Sequence, residues 1–153
     1  MTFLLFQLGD DRYVISAIRI LEVLPLVTLK RFPQAPNGVA GAFNYHGTEV
    51  PVIDLQAMAT NVPAARRLST RIILVHYPVD AKKQYALGLL VEHTTETIKK
   101  DVSEFLEPTV IAPHAPYLGR VCKDDRGLIQ WIDVENLLTP QVRNALFASY
   151  ALV

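Results

Sequence analysis

The chain carries a single cysteine, Cys122, among its 153 residues. A lone thiol excludes a disulfide framework and a thiolate metal cage. A surplus of charge is missing too, because fifteen basic residues balance fifteen acidic ones. Nucleic-acid binders displace phosphate counterions with excess Lys and Arg, so that class is excluded. Arg66-Arg67 and Lys99-Lys100 are short pairs and read as solvated turns. No apolar run nears the ~20 residues that cross a bilayer. Phe3-Leu4-Leu5-Phe6 lacks a basic stretch before it and is broken by Gln7, which argues against a signal peptide. These absences predict a cytoplasmic chain with no direct insertion into membrane.

Catalytic signatures are equally sparse. The seven glycines never form G-x-G, so neither a dinucleotide fingerprint nor a phosphate loop is present. There is no G-x-S-x-G elbow. His46, His76, His93 and His114 are scattered without the close pairing of metal sites. His76 and His93 fall in or at the end of predicted strands and read as structural. Cys122, in a predicted strand without an adjacent base, reads as a buried inert thiol. Asp54 and Asp133 each follow a strand and read as helix caps, not as an acid/base pair. Asp10-Asp11 and Asp124-Asp125 sit in turns, where Asp bonds its own backbone. The expectation is a binding module, with no catalytic residue, no metal and no cofactor.

What the sequence does have is apolar residues, 50% of the chain, arranged mostly as strands. Four hairpins are predicted, each a pair of apolar segments around a polar turn. They are Phe3–Leu8 with Arg12–Ile15, Val39–Tyr45 with Thr48–Ile53, Arg71–Tyr77 with Tyr85–His93, and Tyr117–Lys123 with Gly127–Ile132. Short helical turns are expected at 55–58 and 134–138. A C-terminal helix should start at Thr139-Pro140 and bury Val142, Leu146 and Tyr150. Segment 57–70 reads as a long loop, and 100–116 as a return connection. An internal echo joins Gly41–Met58 to Gly119–Leu137, each a hairpin whose second strand ends in Ile-Asp. Two related half-barrels of about 70 residues, too small to be stable apart, would explain it.

These residues also carry a resemblance. Phe6-x-Leu8-Gly9-x-x-x-Tyr13, Glu22-Val23, Pro33-x-Ala35-Pro36, Gly41-x-x-Asn44-x-x-Gly47 and Val50-Pro51-Val52-Ile53-Asp54-Leu55 resemble the CheW family of chemosensory coupling proteins. Leu87–Glu92 and Leu128-Ile129-x-x-Ile132-Asp133 agree more loosely. The resemblance implies a mainly β fold of two packed five-stranded SH3-like barrels. It implies one domain over 1–153, made of two intertwined barrel subdomains, and no catalysis. It further implies two partners, the regulatory domain of a CheA-type histidine kinase and the cytoplasmic tip of a chemoreceptor. Recruitment to membrane-associated receptor arrays would follow.

Carried over position by position, the partner-binding residues are Ile20, Glu22, Asn44, His46 and Gly47. If extended, Ile20 and Glu22 share one strand face. The family pattern Asn-x-Arg-Gly reads here as Asn44-Tyr45-His46-Gly47, with histidine in place of arginine. Arginine offers a permanent, planar charge, whereas an imidazole is charged for only part of the neutral range. The exchange should therefore act on partner choice, with some sensitivity to pH, more than on folding. The kinase contact is sought around Val39–Phe43 and Val50, positions that equally suit a barrel core. The alternative function is a small-ligand-binding β-barrel without signalling partners.

Overall fold

The computed structural model describes residues 1–78 and 84–147. The chain runs β1 (Thr2–Leu8), β2 (Asp11–Ser16), β3 (Ile20–Pro25), β4 (Val39–Tyr45), β5 (Thr48–Asp54), α1 (Leu55–Thr60), β6 (Arg71–Pro78), β7 (Gln84–Val91), β8 (His93–Lys99), β9 (Leu118–Asp124), β10 (Gly127–Ile132) and α2 (Pro140–Phe147). The strands form two five-stranded sheets, ordered β8-β1-β2-β10-β9 and β3-β6-β7-β5-β4. We call the first the terminal sheet, because it draws on both ends of the chain, and the second the central sheet. Each has one parallel pair, β2 with β10 and β5 with β7, and is otherwise antiparallel.

The two sheets are circular permutations of one pattern. Reading β8, β9, β10, β1, β2 against β3, β4, β5, β6, β7 reproduces the same order across both sheets. The internal echo is therefore β4–β5 against β9–β10. The two copies are not consecutive along the chain: β1 and β2 sit with β8–β10, and the central sheet fills the interval between.

This interleaving explains why the main strands read as unbroken apolar runs. A strand buried on one face alternates, whereas a strand buried on both does not. In β1, Phe3 and Leu5 fill the interior of the terminal sheet, while Leu4, Phe6 and Leu8 face a cluster shared between the sheets. In β6, Ile72 and Leu74 fill the central sheet, while Ile73, Val75 and Tyr77 face the shared cluster. Helix α2 closes this cluster with Leu146 and Phe147, the latter stacked on Tyr85 at 4.8 Å between ring centres. Thr139 caps α2, its hydroxyl accepting the Val142 N–H at 3.2 Å. Tyr150, expected on the same stripe, lies outside the described residues.

Strands β3 and β8 were not among the predicted hairpins. Both are sheet edges, and their exposure hides the pattern: Leu21, Glu22 and Val23 are exposed in β3, as are Glu96, Thr97 and Lys99 in β8. Helix α1 occupies 55–60, two residues beyond the expected turn, and stops where Asn61 adopts a left-handed conformation. Asp54 caps it as expected, with Oδ1 accepting the Ala57 N–H at 2.9 Å and Oδ2 the Ala64 N–H at 3.0 Å. Asp133 does not cap. Its turn is a three-residue 3-10 helix whose Asn136 N–H already reaches the Asp133 carbonyl. Its carboxylate lies instead against Gly119, where an added Cβ would stand 2.9 Å from Oδ2. Burial raises the Asp133 carboxyl above its ordinary value.

One ion pair fastens the terminal sheet. Arg12 in β2 grips Asp124 at the end of β9 through two hydrogen bonds of 2.9 and 2.5 Å. The side chains are only 11% and 22% exposed. The guanidinium holds the Asp124 carboxyl down at about 2, from an ordinary value of 3.8. A carboxyl lowered in the folded state stabilises it above the unfolded value and loses that contribution as pH falls through the folded one. Asp124→Asn should therefore cost on the order of 1–2 kcal/mol at neutral pH. Denaturant titrations of both proteins are expected to converge between about pH 4 and pH 2.

Candidate functional site

The central sheet has two edges, β3 and β4, that no hydrogen-bonded strand joins. Where they approach each other, the sequence supplies its own closure. Lys30 makes an isolated bridge to Ala42, with both backbone bonds at 2.8 Å. Gly41 permits it, because a Cβ there would lie 2.5 Å from the Lys30 carbonyl oxygen. Further along the seam, the Tyr45 hydroxyl donates to Glu22 Oε2 at 2.7 Å.

The β4–β5 turn shapes the rest of this surface. Tyr45 pairs with Thr48, leaving His46 and Gly47 as a two-residue loop. Both have positive φ, +52° and +87°, the signature of the type I′ turn that matches strand twist. A Cβ on Gly47 would meet nothing within 4 Å, so conformation alone favours glycine there. Asn44 Oδ1 accepts the Gly47 N–H at 2.9 Å and pins the loop. The His46 ring stands edge-on to Tyr45, with centres 4.3 Å apart.

The residues singled out from sequence thus divide. Glu22, Asn44, His46 and Gly47 are all exposed, around one seam. Ile20 does not share the outer face with Glu22. A β-bulge shifts the register between them, so Ile20 opposes Val75 and Glu22 opposes Leu74. Ile20 packs against the shared cluster instead. Among the described residues no salt bridge joins Glu22 to His46; the bond to Glu22 comes from Tyr45. Tyr45 was not among the residues singled out from sequence, although an aromatic ending a strand inside the Asn44-x-x-Gly47 turn was the signal available. In the kinase-contact region, Ala42, Phe43 and Val50 are buried, with Phe43 and Val50 in the central sheet's own cluster. They are core.

Cys122 is buried in the terminal sheet, and burial pushes its thiol up. The interiors of both sheets are filled by side chains. A groove of about 490 Å³ lies outside them, lined by Glu107, Pro108, Ile111, Trp131 and Asp133 among others.

Comparison with known proteins places this geometry. The family model for the CheW-like domain matches residues 2–141. The chain belongs to the CheW-like family. It is similar to the chemotaxis protein CheW of Helicobacter pylori, 28% identical over 139 residues that cover 90% of this chain and 81% of that protein. It is also similar to CheW of Klebsiella aerogenes, 22% identical over 91% of this chain and 82% of that one. Among solved structures, the scaffolding protein TtCheW of Thermoanaerobacter tengcongensis shares its fold, with a TM-score of 0.79 at 23% identity over 92% of this chain and 89% of that one. The CheW-like fold is mainly β, and the terminal and central sheets match its two SH3-like barrels. Among the described residues no helix is long and apolar enough to cross a membrane.

The seam makes a direct prediction. Because the Glu22 carboxylate accepts its proton, the Tyr45 phenol is held above its ordinary value. Burial also raises the phenols of Tyr13, Tyr77 and Tyr117, so the test compares the ultraviolet titration of Glu22→Gln with that of the wild type. One phenol fewer should ionise late in Glu22→Gln, having returned toward about 10.

Proposed function

We propose that this chain is a non-catalytic adaptor that couples chemoreceptor cytoplasmic tips to the regulatory domain of a CheA-type histidine kinase. The observation that carries this reading is the seam of the central sheet, within a chain of the CheW-like family. There an edge strand exposes Leu21, Glu22 and Val23, and a rigid turn presents His46 beside them. An exposed edge strand that carries apolar residues and a fixed polar group suits the recognition of another protein surface. The names of the similar proteins, two chemotaxis proteins and a scaffolding protein, point the same way. In this reading the protein works in the cytoplasm, recruited to receptor arrays through its partners, and binds neither nucleic acid nor cofactor. The interleaved sheets act as one domain.

The partner-binding residues we assign are Glu22 and His46, with Asn44 and Gly47 holding the turn and Ile20 supporting the strand from beneath. Replacement of the family arginine by His46 tunes which receptor is accepted. An exposed charge contributes only about 0–1 kcal/mol to folding, whereas the same position at an interface centre reaches ~2 kcal/mol or more.

Calorimetric titration with the regulatory domain of the kinase from the same genome should give saturable one-to-one binding. Absence of heat at two temperatures, with both proteins folded, would contradict the adaptor reading. His46→Arg should leave the melting temperature nearly unchanged and alter affinity for a receptor tip; equal affinity would remove His46 from the recognition surface.

A further inference from the structure

Tyr45 joins two environments. Its ring packs against the central sheet's apolar cluster and stands near Phe43, with ring centres 6.2 Å apart at 69°. Its hydroxyl reaches out to Glu22, a residue on the exposed edge strand. A ring anchored in the core is stiff, with only two side-chain torsions to fix. A glutamate on an exposed edge is free to adopt several rotamers until something holds it. The bond therefore orders Glu22 and does little to Tyr45. Strands β3 and β4 are opposite edges of the sheet, so no backbone ladder performs this task.

We infer that Tyr45 is a positioning residue of the partner surface, which presents the Glu22 carboxylate in one orientation to a donor-bearing side chain of the partner. This rests on the receptor reading above. Oε2 is taken by Tyr45, and among the described residues Oε1 accepts no hydrogen bond. Leu21 and Val23, the chain neighbours of Glu22, are 42% and 38% exposed, with Val23 on the other face of the strand, opposite Ile73. The surface thus fits a segment that brings an arginine, lysine or amide to Glu22 along the exposed edge of β3. His46 contributes a ring edge-on to Tyr45 and restricts the phenol from the turn side. The specificity of the turn lies in the pair Tyr45–His46, with Tyr45 acting through Glu22.

Preordering one flexible side chain is worth about 0.5–1.5 kcal/mol in binding, or roughly 2–10-fold in affinity. Tyr45→Phe keeps the ring and removes only the hydroxyl, so the melting temperature should stay close to that of the wild type. Its affinity for purified signalling tips of the chemoreceptors from the same genome should fall by about 2–10-fold. Glu22→Gln should weaken binding at least as much. Adding Tyr45→Phe to Glu22→Ala, which leaves no side-chain acceptor, should weaken binding no further, because a residue acting only through Glu22 then has nothing left to position. Wild-type binding with full retention in Tyr45→Phe, or losses that multiply in the double variant, would overturn the inference. If the wild-type chain binds none of the tips, the receptor reading fails, and this role fails with it.

Discussion

Everything in this molecule depends on the apolar cluster between its two sheets. Among the described residues, twenty buried side chains belong to it, against seven in the central sheet's own cluster and six in that of the terminal sheet. At about 1.5–3 kcal/mol for each fully buried large aliphatic or aromatic side chain, the shared cluster outweighs the other two together. Neither sheet brings enough private core to match it. The chain enforces the union by threading: the terminal sheet is begun by β1 and β2, left open for the whole of the central sheet, and completed by β8–β10.

The proposed partner surface inherits its rigidity from this arrangement. Strand β3 leaves the terminal sheet's β2 and immediately joins β6, whose other face is in the shared cluster. The bulge at Leu21 lets Ile20 dip toward that cluster while Glu22 stays outside. From the opposite edge, a type I′ turn delivers Tyr45 to Glu22. A partner meeting this seam meets groups fixed at both ends, which limits the ordering cost of association. The proposed adaptor role gains from that, since its task would be to hold two proteins in a defined relation.

Much of this was legible in the sequence for identifiable reasons. Eight of the ten strands announced themselves as apolar segments around turns, because β1, β2, β4–β7, β9 and β10 each bury at least one side chain in a cluster. The two missed strands, β3 and β8, are edges with exposed side chains and have no such pattern. The echo of Gly41–Met58 in Gly119–Leu137 revealed the duplication but not the permutation, since hairpins carry no record of which sheet they will join. At the site, the turn was readable from Asn44 and Gly47, and Glu22 from the family pattern. The bulge that separates Ile20 from Glu22, and the reach of Tyr45 across the seam, are long-range matters. Asp133 shows the same limit: its position mimics that of Asp54, but a 3-10 turn satisfies its own N–H and leaves the carboxylate elsewhere.

The central claim is that the shared cluster makes two interleaved sheets a single body, and native-state hydrogen exchange tests it most directly. The amides of Val14 in the terminal sheet and Leu74 in the central sheet both belong to fully buried residues. Under rising denaturant they should open with one common free energy and one common slope, as members of the same cooperative unit. Two distinct free energies, with one sheet exchanging while the other stays protected, would contradict the account.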